Sequence, residues 1–434
     1  MIAKDSPVPN GTLDATKVVI FLAVALGVVM PVVEAVIYPT YFIMVEGHWY
    51  ERTRLIELPY VLFEIAFILW ARSNGFDPDK SVRSLPRDIH IAGAIWLVVM
   101  MFGAIFVSSD INYALTHSFM WIVHVFFALA VFAVMIEGKL GGFDRFMHWH
   151  TLGLVVLAIY TAWWFARVPP AETLPFGRIE LQGALPGWIS VRHFGSWTGA
   201  IAAGFAIRIL WGQGGRNLTL SRAGYFVAAG LTVWSGTRAA ILAVVVVTIL
   251  FLFFLRKWPT FSRIGWATIL TLLATAAAYL CLPDDPNFYL IEAGDLESGE
   301  NFTATRTLIW SGSIDVWLRS PWIGLGTGSI FWEFSPTYTP TQPHNVVLQF
   351  LISWGLIGTL PALWMLLRAV SHVHRSARPL PQTLALQAML YALLFQSLLE
   401  GMLHYPRFII SSAVLATIIV AASRQNYRAV EGSP

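Results

Sequence analysis

The sequence has little charge and almost no cysteine. Charged residues make up 12% of the 434 residues, and hydrophobic residues make up 56%. Because soluble domains carry about 25% charged residues, this chain cannot cover the surface of a soluble protein of its length with polar groups. The same composition excludes a disordered chain, a collagen and a disulfide-rich scaffold. Cys281 is the single cysteine, so it gives no information about the redox compartment.

The excess of positive charge is also small. The formal net charge is +3 at pH 7, which is too little to suggest binding to nucleic acid, and we expect no nucleic-acid partner. The mean hydropathy is +0.64. These values indicate an all-α polytopic membrane protein in contact with membrane lipids.

Long apolar runs make up most of the chain. Because about 20 apolar residues span a bilayer, twelve such runs predict twelve transmembrane helices. They lie near residues 18–40, 55–71, 89–107, 112–136, 148–166, 194–211, 219–235, 237–255, 265–282, 346–367, 383–402 and 406–423. With the N-terminus inside, most of the 28 Lys and Arg residues fall in inner segments. The positive-inside rule therefore predicts that both termini are cytoplasmic.

The predicted spans divide the chain into three parts. Residues 1–282 hold nine spans, and residues 345–434 hold three more spans and a cytoplasmic tail. Between them, residues 283–344 form the one long outer loop. This loop is the part of the chain most able to carry chemistry outside the membrane.

Within the loop, apolar residues recur at a helical spacing between Ala304 and Arg319. They predict a short helix with one apolar face that lies on the outer membrane surface. We expect Pro321 to end it, because the residue before a proline avoids the α-helical conformation. The apolar residues are Trp310, Ile314, Trp317 and Leu318.

A histidine lies where the outer loop meets the tenth span. In the sequence Pro343-His344-Asn345, Asn345 is a suitable N-cap for the helix that follows. The positive end of that helix favours a neutral imidazole, which can take a proton from a hydroxyl group as a general base. We predict that His344 is catalytic and that Asn345 contributes to substrate binding.

Nine arginines lie on the predicted outer side, where the charge bias disfavours cations, and four of them are candidate site residues. Arg238 opens the eighth span, and Arg306 begins the helix in the loop. Because guanidinium groups bind phosphate oxygens bidentately, these two can hold a diphosphate and stabilise it as a leaving group. We predict that Arg238 and Arg306 are catalytic and that Arg192 and Arg407 bind substrate. The alternative is pairing with lipid phosphates or with carboxylates of the loop.

Four carboxylates lie within predicted spans. Glu34, Glu57 and Glu64 belong to the first two spans, and each must be paired, protonated or directed into a cavity because charge is costly in lipid. Their partners cannot be identified from the sequence. Glu400, near the outer end of the eleventh span, can neutralise Arg407.

Three other patterns favour ordinary explanations. The glycines of 324–328 have no βαβ unit around them, so a flexible turn is favoured over a nucleotide-binding loop. Asp77-Pro78-Asp79 lies among inner basic residues and indicates a solvated loop. No His or Cys cluster has the spacing of metal ligands, so we expect no metal.

In combination these features resemble the O-antigen ligase family, within the larger group of O-antigen polymerases and protein O-oligosaccharyltransferases. The family often has Ser-Arg where this chain has Thr237-Arg238. The resemblance rests on Ser-Gly-Thr-Arg-Ala-Ala-Ile-Leu at 235–242, on Arg306, Trp310 and Pro-Trp-Ile-Gly-Leu-Gly-Thr-Gly at 321–328, and on Pro343-His344-Asn345 with Trp354-Gly-Leu-Ile-Gly.

The resemblance implies a glycosyltransferase of the bacterial inner membrane that needs neither metal nor cofactor and whose active site faces the periplasm. Such an enzyme moves a glycan from undecaprenyl pyrophosphate to a sugar hydroxyl of lipid A–core. By this resemblance, His344 acts on the acceptor hydroxyl, while Arg238 and Arg306 hold the diphosphate of the donor.

Two alternatives remain. A Wzy-type polymerase uses the same donor but a second lipid-linked glycan as acceptor, and it needs the same diphosphate site and base. A transporter or flippase often has twelve spans, and its coupling residues could be Glu34, Glu57 and Glu64. The unusual residues of this chain, however, cluster on the outer side rather than at the membrane midplane.

Overall fold

The computed structural model describes residues 14–37, 57–136, 138, 140–167, 185–188, 190–212, 216–282, 290, 304–329, 343–377 and 381–431. Throughout these ranges the chain forms helices joined by turns, without a strand. The all-α class is therefore confirmed. Much of the predicted outer loop, at 283–289, 291–303 and 330–342, lies outside the described residues.

Fourteen helices are present in the described part of the chain. They are α1 Ala15–Ile37, α2 Leu58–Ser73, α3 Pro78–Arg83, α4 Arg87–Val107, α5 Ile111–Ile136, α6 Phe143–Phe165, α7 Val191–Trp211, α8 Arg216–Trp234, α9 Arg238–Leu255, α10 Phe261–Leu280, α11 Ala304–Trp317, α12 Val346–Ala377, α13 Leu384–Glu400 and α14 Pro406–Glu431.

A helix coincides with each of the twelve predicted spans. Eight of these helices are long and apolar enough to cross a membrane: α1, α4, α5, α9, α10, α12, α13 (extended by the 3₁₀ turn Pro381–Thr383) and α14. The other four, α2, α6, α7 and α8, are shorter or less apolar. Twelve crossings and cytoplasmic termini therefore stay predictions.

Helix α7 forms the centre of the bundle. It packs against α8, α9 and α13, and nearly all of its residues are buried. Its glycines permit this close packing: a Cβ atom at Gly199 would lie 2.7 Å from the Cβ of Ala240, and one at Gly204 would lie 2.7 Å from Cγ of Met389. Small residues bring membrane helices together in this way.

Helix α12 is broken at Gly355, where φ is 57° and ψ is −169°. The break leaves some backbone groups without hydrogen-bond partners inside the helix, and residues 321–328 supply these partners. Leu325 and Gly326 donate to the carbonyls of Ile352 and Ser353 at 2.8 and 3.1 Å. In return, the amides that follow Gly355 donate to this segment. We call residues 321–328 the clamp.

The return bonds run from Leu356 to the Pro321 carbonyl and from Ile357 to the Trp322 carbonyl, at 2.9 and 3.0 Å. A Cβ atom at Gly324 would lie 2.5 Å from the backbone of α12. The predicted turn is present, and its glycines bring two backbones into contact and hold the broken helix in place.

The predicted helix in the outer loop is confirmed as α11, which packs on α12. Its buried face differs from the predicted one. Ile309, Ser313 and Val316 are buried, whereas Ile314 and Leu318 are exposed. Ser313 lies between Ile309 and Val316 on the buried face. Because serine is polar, hydrophobicity alone does not identify this face.

Candidate functional site

The predicted site residues lie at one end of the bundle, which we call the site end. Here α7, α9, α12 and α14 begin, α8 and α13 end, and α11 covers the start of α12. Charge bias predicts that this end is the outer one. Contacts between side chains from these separate helices build the candidate site.

Glu400 joins two of the predicted catalytic residues. Arg306 Nη2 donates to Oε1 of this carboxylate, and His344 Nδ1 lies 3.2 Å from Oε2. The Glu400 side chain is 5% exposed, whereas the side chains of Arg306 and His344 are 34% and 31% exposed. A buried carboxylate thus holds two partly exposed groups side by side. We call these three residues the Glu400 cluster.

Two pieces of geometry describe the His344 contact more fully. Nδ1 of His344 has no hydrogen bond with acceptable geometry in the described part of the chain. The ring and the Glu400 carboxylate are therefore within ion-pair distance but are not hydrogen-bonded. His344 also has a φ of 50°, which is uncommon for a residue with a side chain and is found at strained functional positions. With Nδ1 facing Glu400, the Nε2 edge of the ring is directed away from the carboxylate.

The neighbours of His344 fix the start of α12. Asn345 Oδ1 accepts hydrogen bonds from the amides of Val347 and Leu348, at 2.9 and 3.2 Å, so the predicted N-cap is confirmed. Its Nδ2 donates to the Leu398 carbonyl at 3.2 Å. Trp310 Nε1 of α11 donates to the Pro343 carbonyl at 2.9 Å. These bonds occupy the side chain of Asn345, so its main contribution is to position His344.

Arg192 and Arg238 flank the turn between α8 and α9. Arg192 Nη1 donates to the Gly236 carbonyl in this turn, and Arg238 Nε donates to the Leu290 carbonyl at 2.6 Å. Arg192 also interacts electrostatically with Glu400. Arg192 thus links the turn that precedes Arg238 with Glu400, and Arg192, Arg238, Arg306 and His344 lie at the same end of the bundle.

His193 is a member of this region that the sequence did not single out. It is buried, its ring centre lies 4.3 Å from that of Tyr405, and it interacts electrostatically with Glu400 and His344. Its position directly after Arg192 is the one signal that could have drawn attention to it.

Arg407 occupies a different environment. Its side chain is 2% exposed and lies between Glu34 and Glu57, with Nε 3.3 Å from Oε1 of Glu57 and Nη2 in contact with Oε2 of Glu34. The guanidinium also lies 3.7 Å from the ring centre of Trp188. The predicted substrate-binding role does not fit this placement, because two carboxylates and an aromatic ring already enclose the group. Arg407 is a structural residue here.

The same contacts correct the interpretation of the carboxylates. Glu400 does not neutralise Arg407, since Arg407 is paired with Glu34 and Glu57. Glu64 has a different partner, His124, in the interior of the bundle. Sequence position could not assign these pairs, because each joins helices that are distant along the chain.

One of the other sequence patterns has a structural explanation. Asp77 caps α3 by accepting from the amides of Asp79 and Lys80, at 3.0 and 3.3 Å. Across the described ranges, no group of three or more His, Cys, Asp or Glu residues is arranged to hold a metal ion.

The site end therefore combines cationic and basic groups in a way that suits one kind of chemistry. Partly exposed guanidinium groups can bind phosphate oxygens. An imidazole backed by a carboxylate can accept a proton, because the carboxylate stabilises the imidazolium that forms. Together they can hold an anionic leaving group and activate a hydroxyl nucleophile.

Comparison with known proteins gives one match. Residues 223–363 match the family model Wzy_C, described as O-antigen ligase, and this segment contains Arg238, Arg306, the clamp, His344 and Asn345. Arg192 and Glu400 lie outside it. Neither a curated protein nor a solved structure matches the chain. Residues 223–363 are therefore similar to the O-antigen ligase family over about a third of the chain.

Proposed function

We propose that this protein is an O-antigen ligase, which transfers a glycan from undecaprenyl pyrophosphate to a sugar hydroxyl of lipid A–core at the periplasmic face of the bacterial inner membrane. The observation that carries the proposal is the Glu400 cluster, in which a base and a phosphate-binding cation share one buried carboxylate. The family match supports the same class of enzyme.

In the proposed reaction, the acceptor hydroxyl attacks C1 of the donor's first sugar. His344 takes the hydroxyl proton on Nε2, and Glu400 stabilises the imidazolium through Nδ1. The C1–O bond to phosphate breaks, and its electron pair stays on the lipid diphosphate. A new C1–O bond joins glycan and acceptor, so atoms and charge balance.

The arginines act on the leaving group. Arg306 uses one N–H toward Glu400, and its other N–H groups can reach phosphate oxygens, since a guanidinium carries five donors. Arg238 and Arg192 supply further positive charge from the neighbouring turn. Stabilisation of the charge that develops on the diphosphate is the role that a metal ion has in other glycosyltransferases, and guanidinium groups can take it.

A polymerase of the same family would use the same donor chemistry, and a chromosomal deletion separates the two functions. Loss of a ligase leaves lipid A–core without glycan, while polymer accumulates on the lipid carrier. Loss of a polymerase leaves core capped with a single repeat. We expect the first pattern on a lipopolysaccharide gel, with restoration by wild-type protein. The second pattern would assign polymerase activity instead.

A further inference from the structure

A second charged pair lies in the interior of the bundle, apart from the Glu400 cluster. Glu64 lies midway along α2, and His124 lies midway along α5. His124 Nδ1 is 2.9 Å from Oε1 and 2.7 Å from Oε2 of Glu64. Glu64 is 0% exposed and His124 is 5% exposed. The proposed transfer reaction has no role for either residue.

The pair has one favourable charge state in these surroundings. With a single proton shared between them, carboxylate and imidazole form a neutral unit. Loss of that proton leaves a net negative charge and gain of another leaves a net positive charge, and both are costly in an apolar interior. Among the described groups, the titratable side chain in contact with Glu64 is His124. Arg407 lies closer to the site end, where Glu34 and Glu57 already neutralise its positive charge.

A cavity with a mixed polar and apolar lining adjoins His124. Its polar residues include His117 from α5, Thr327 from the clamp, Gln349 and Ser353 from α12, and His404 from the turn before α14. Its space suits about one water molecule, and such a water needs polar partners. Gln349 Oε1 is one of them, because it is buried and lacks a protein hydrogen-bond partner in the described part of the chain.

The cavity lining includes both His124 and His404. His404 lies on the Met402–His404 turn that follows α13, at the site end. Beyond His124, toward the opposite end, the buried residues of α5 are Phe127, Ala130, Val131 and Val134. Because these side chains are apolar, water and protons can reach the pair more easily from the site end. His117 and His404 are the other titratable groups along the cavity.

We propose that Glu64 and His124 form a proton-binding site that exchanges its proton with the compartment at the site end, through the water-sized cavity lined by His117, Gln349 and His404. The ligand is a proton delivered by water. The alternative is a structural pair, which links α2 to α5 and never exchanges its proton. The proposal does not depend on the transfer reaction, and it places a second chemical site in the molecule.

Infrared difference spectroscopy on purified protein in lipid nanodiscs tests the proposal. A step from acidic to alkaline pH should change the intensities of carboxyl and imidazole bands. The intensity change that comes from Glu64 and His124 should be absent in the Glu64→Gln and His124→Gln variants. His150→Gln is the matched control, because His150 is equally buried but lies outside this cavity, and it should leave the signal intact. Glu57→Gln identifies any band from Glu57, another buried carboxylate.

Access is tested separately. Gln349→Leu removes a polar group from the cavity wall and should slow the appearance of the signal after the pH step. In vesicles with one protein orientation, the signal should follow the pH on the site-end side. If a variant does not fold, wild-type protein labelled with isotopic histidine and glutamate shows whether carboxyl and imidazole bands change together after the pH step. A spectrum without any titrating band from the pair, or a band that follows the pH of the opposite side, would overturn the proposal.

Discussion

At Glu400, one buried carboxylate meets two partners from distant parts of the chain. Arg306 approaches from the start of α11 and His344 from the start of α12, and both keep about a third of their side chains exposed. A group that orients a base must be rigid, and burial at the end of α13 provides that rigidity. The residue thus has a positioning role that its place in the sequence did not reveal.

We expect Glu400→Gln to lower transfer by about 10²–10⁴-fold, because the amide is uncharged and cannot stabilise a protonated His344. The pH dependence of the rate should also shift, which a purely structural change would not cause. Asp315→Asn is the matched control, since Asp315 is an exposed carboxylate on α11. Transfer assays and melting temperatures of both variants measure the effect. Normal transfer by a folded Glu400→Gln protein would remove the positioning role.

The residue scale also shows what local sequence can and cannot predict. Asn345 was recognisable as an N-cap because capping involves residues two and three positions away. The partners of Glu400 and Arg407 were not recognisable, because each pair joins helices far apart in the chain. Arg407 is buried because it pairs with Glu34 and Glu57. The sequence did not reveal these partners, and the predicted binding role of Arg407 does not fit them.

At the scale of elements, the clamp and the broken helix determine where the proposed catalytic groups lie. Residues 321–328 follow α11, which carries Arg306, and they hold α12, which begins beside His344. Arg306 and His344 therefore belong to one connected unit. Hydrophobic runs predicted the helices correctly, but a continuous apolar run conceals a break such as the one at Gly355.

We expect Gly355→Ala to destabilise the protein by at least about 1–3 kcal/mol, because its φ of 57° is strained for alanine. In addition, a Cβ there would lie 2.2 Å from the backbone of Trp322. Gly265→Ala is the control, since a Cβ at Gly265 in α10 meets no atom within 4 Å, and it should be neutral or slightly stabilising. Thermal unfolding in detergent measures both. Equal stability of the two variants would contradict the role of the clamp.

At the scale of the whole molecule, the orientation of the bundle decides which compartment the site end faces. Ser311 on α11 lies at the site end, and Ser262 lies at the start of α10 at the opposite end; both are exposed. The orientation of the bundle stays a prediction from charge bias. The convergence of helix ends into one site could not be predicted in this way, because it depends on the packing of α7 against its neighbours.

Cysteine labelling in intact cells tests the orientation. With Cys281 replaced by serine, Ser311→Cys should react with a membrane-impermeant maleimide that reaches the periplasm. Ser262→Cys should react only after the inner membrane is permeabilised. The opposite labelling pattern would place the candidate site in the cytoplasm and would exclude a periplasmic ligase.

The most direct measurement is glycan transfer by the purified protein, supplied with an undecaprenyl-pyrophosphate-linked glycan and lipid A–core and with no ion gradient. We predict that the wild-type protein forms the joined product. The His344→Ala variant, folded with an unchanged melting temperature, should lose at least about 10²-fold in rate because the hydroxyl has no base. Absence of product from active wild-type preparations, or near-normal product from His344→Ala, would contradict the account.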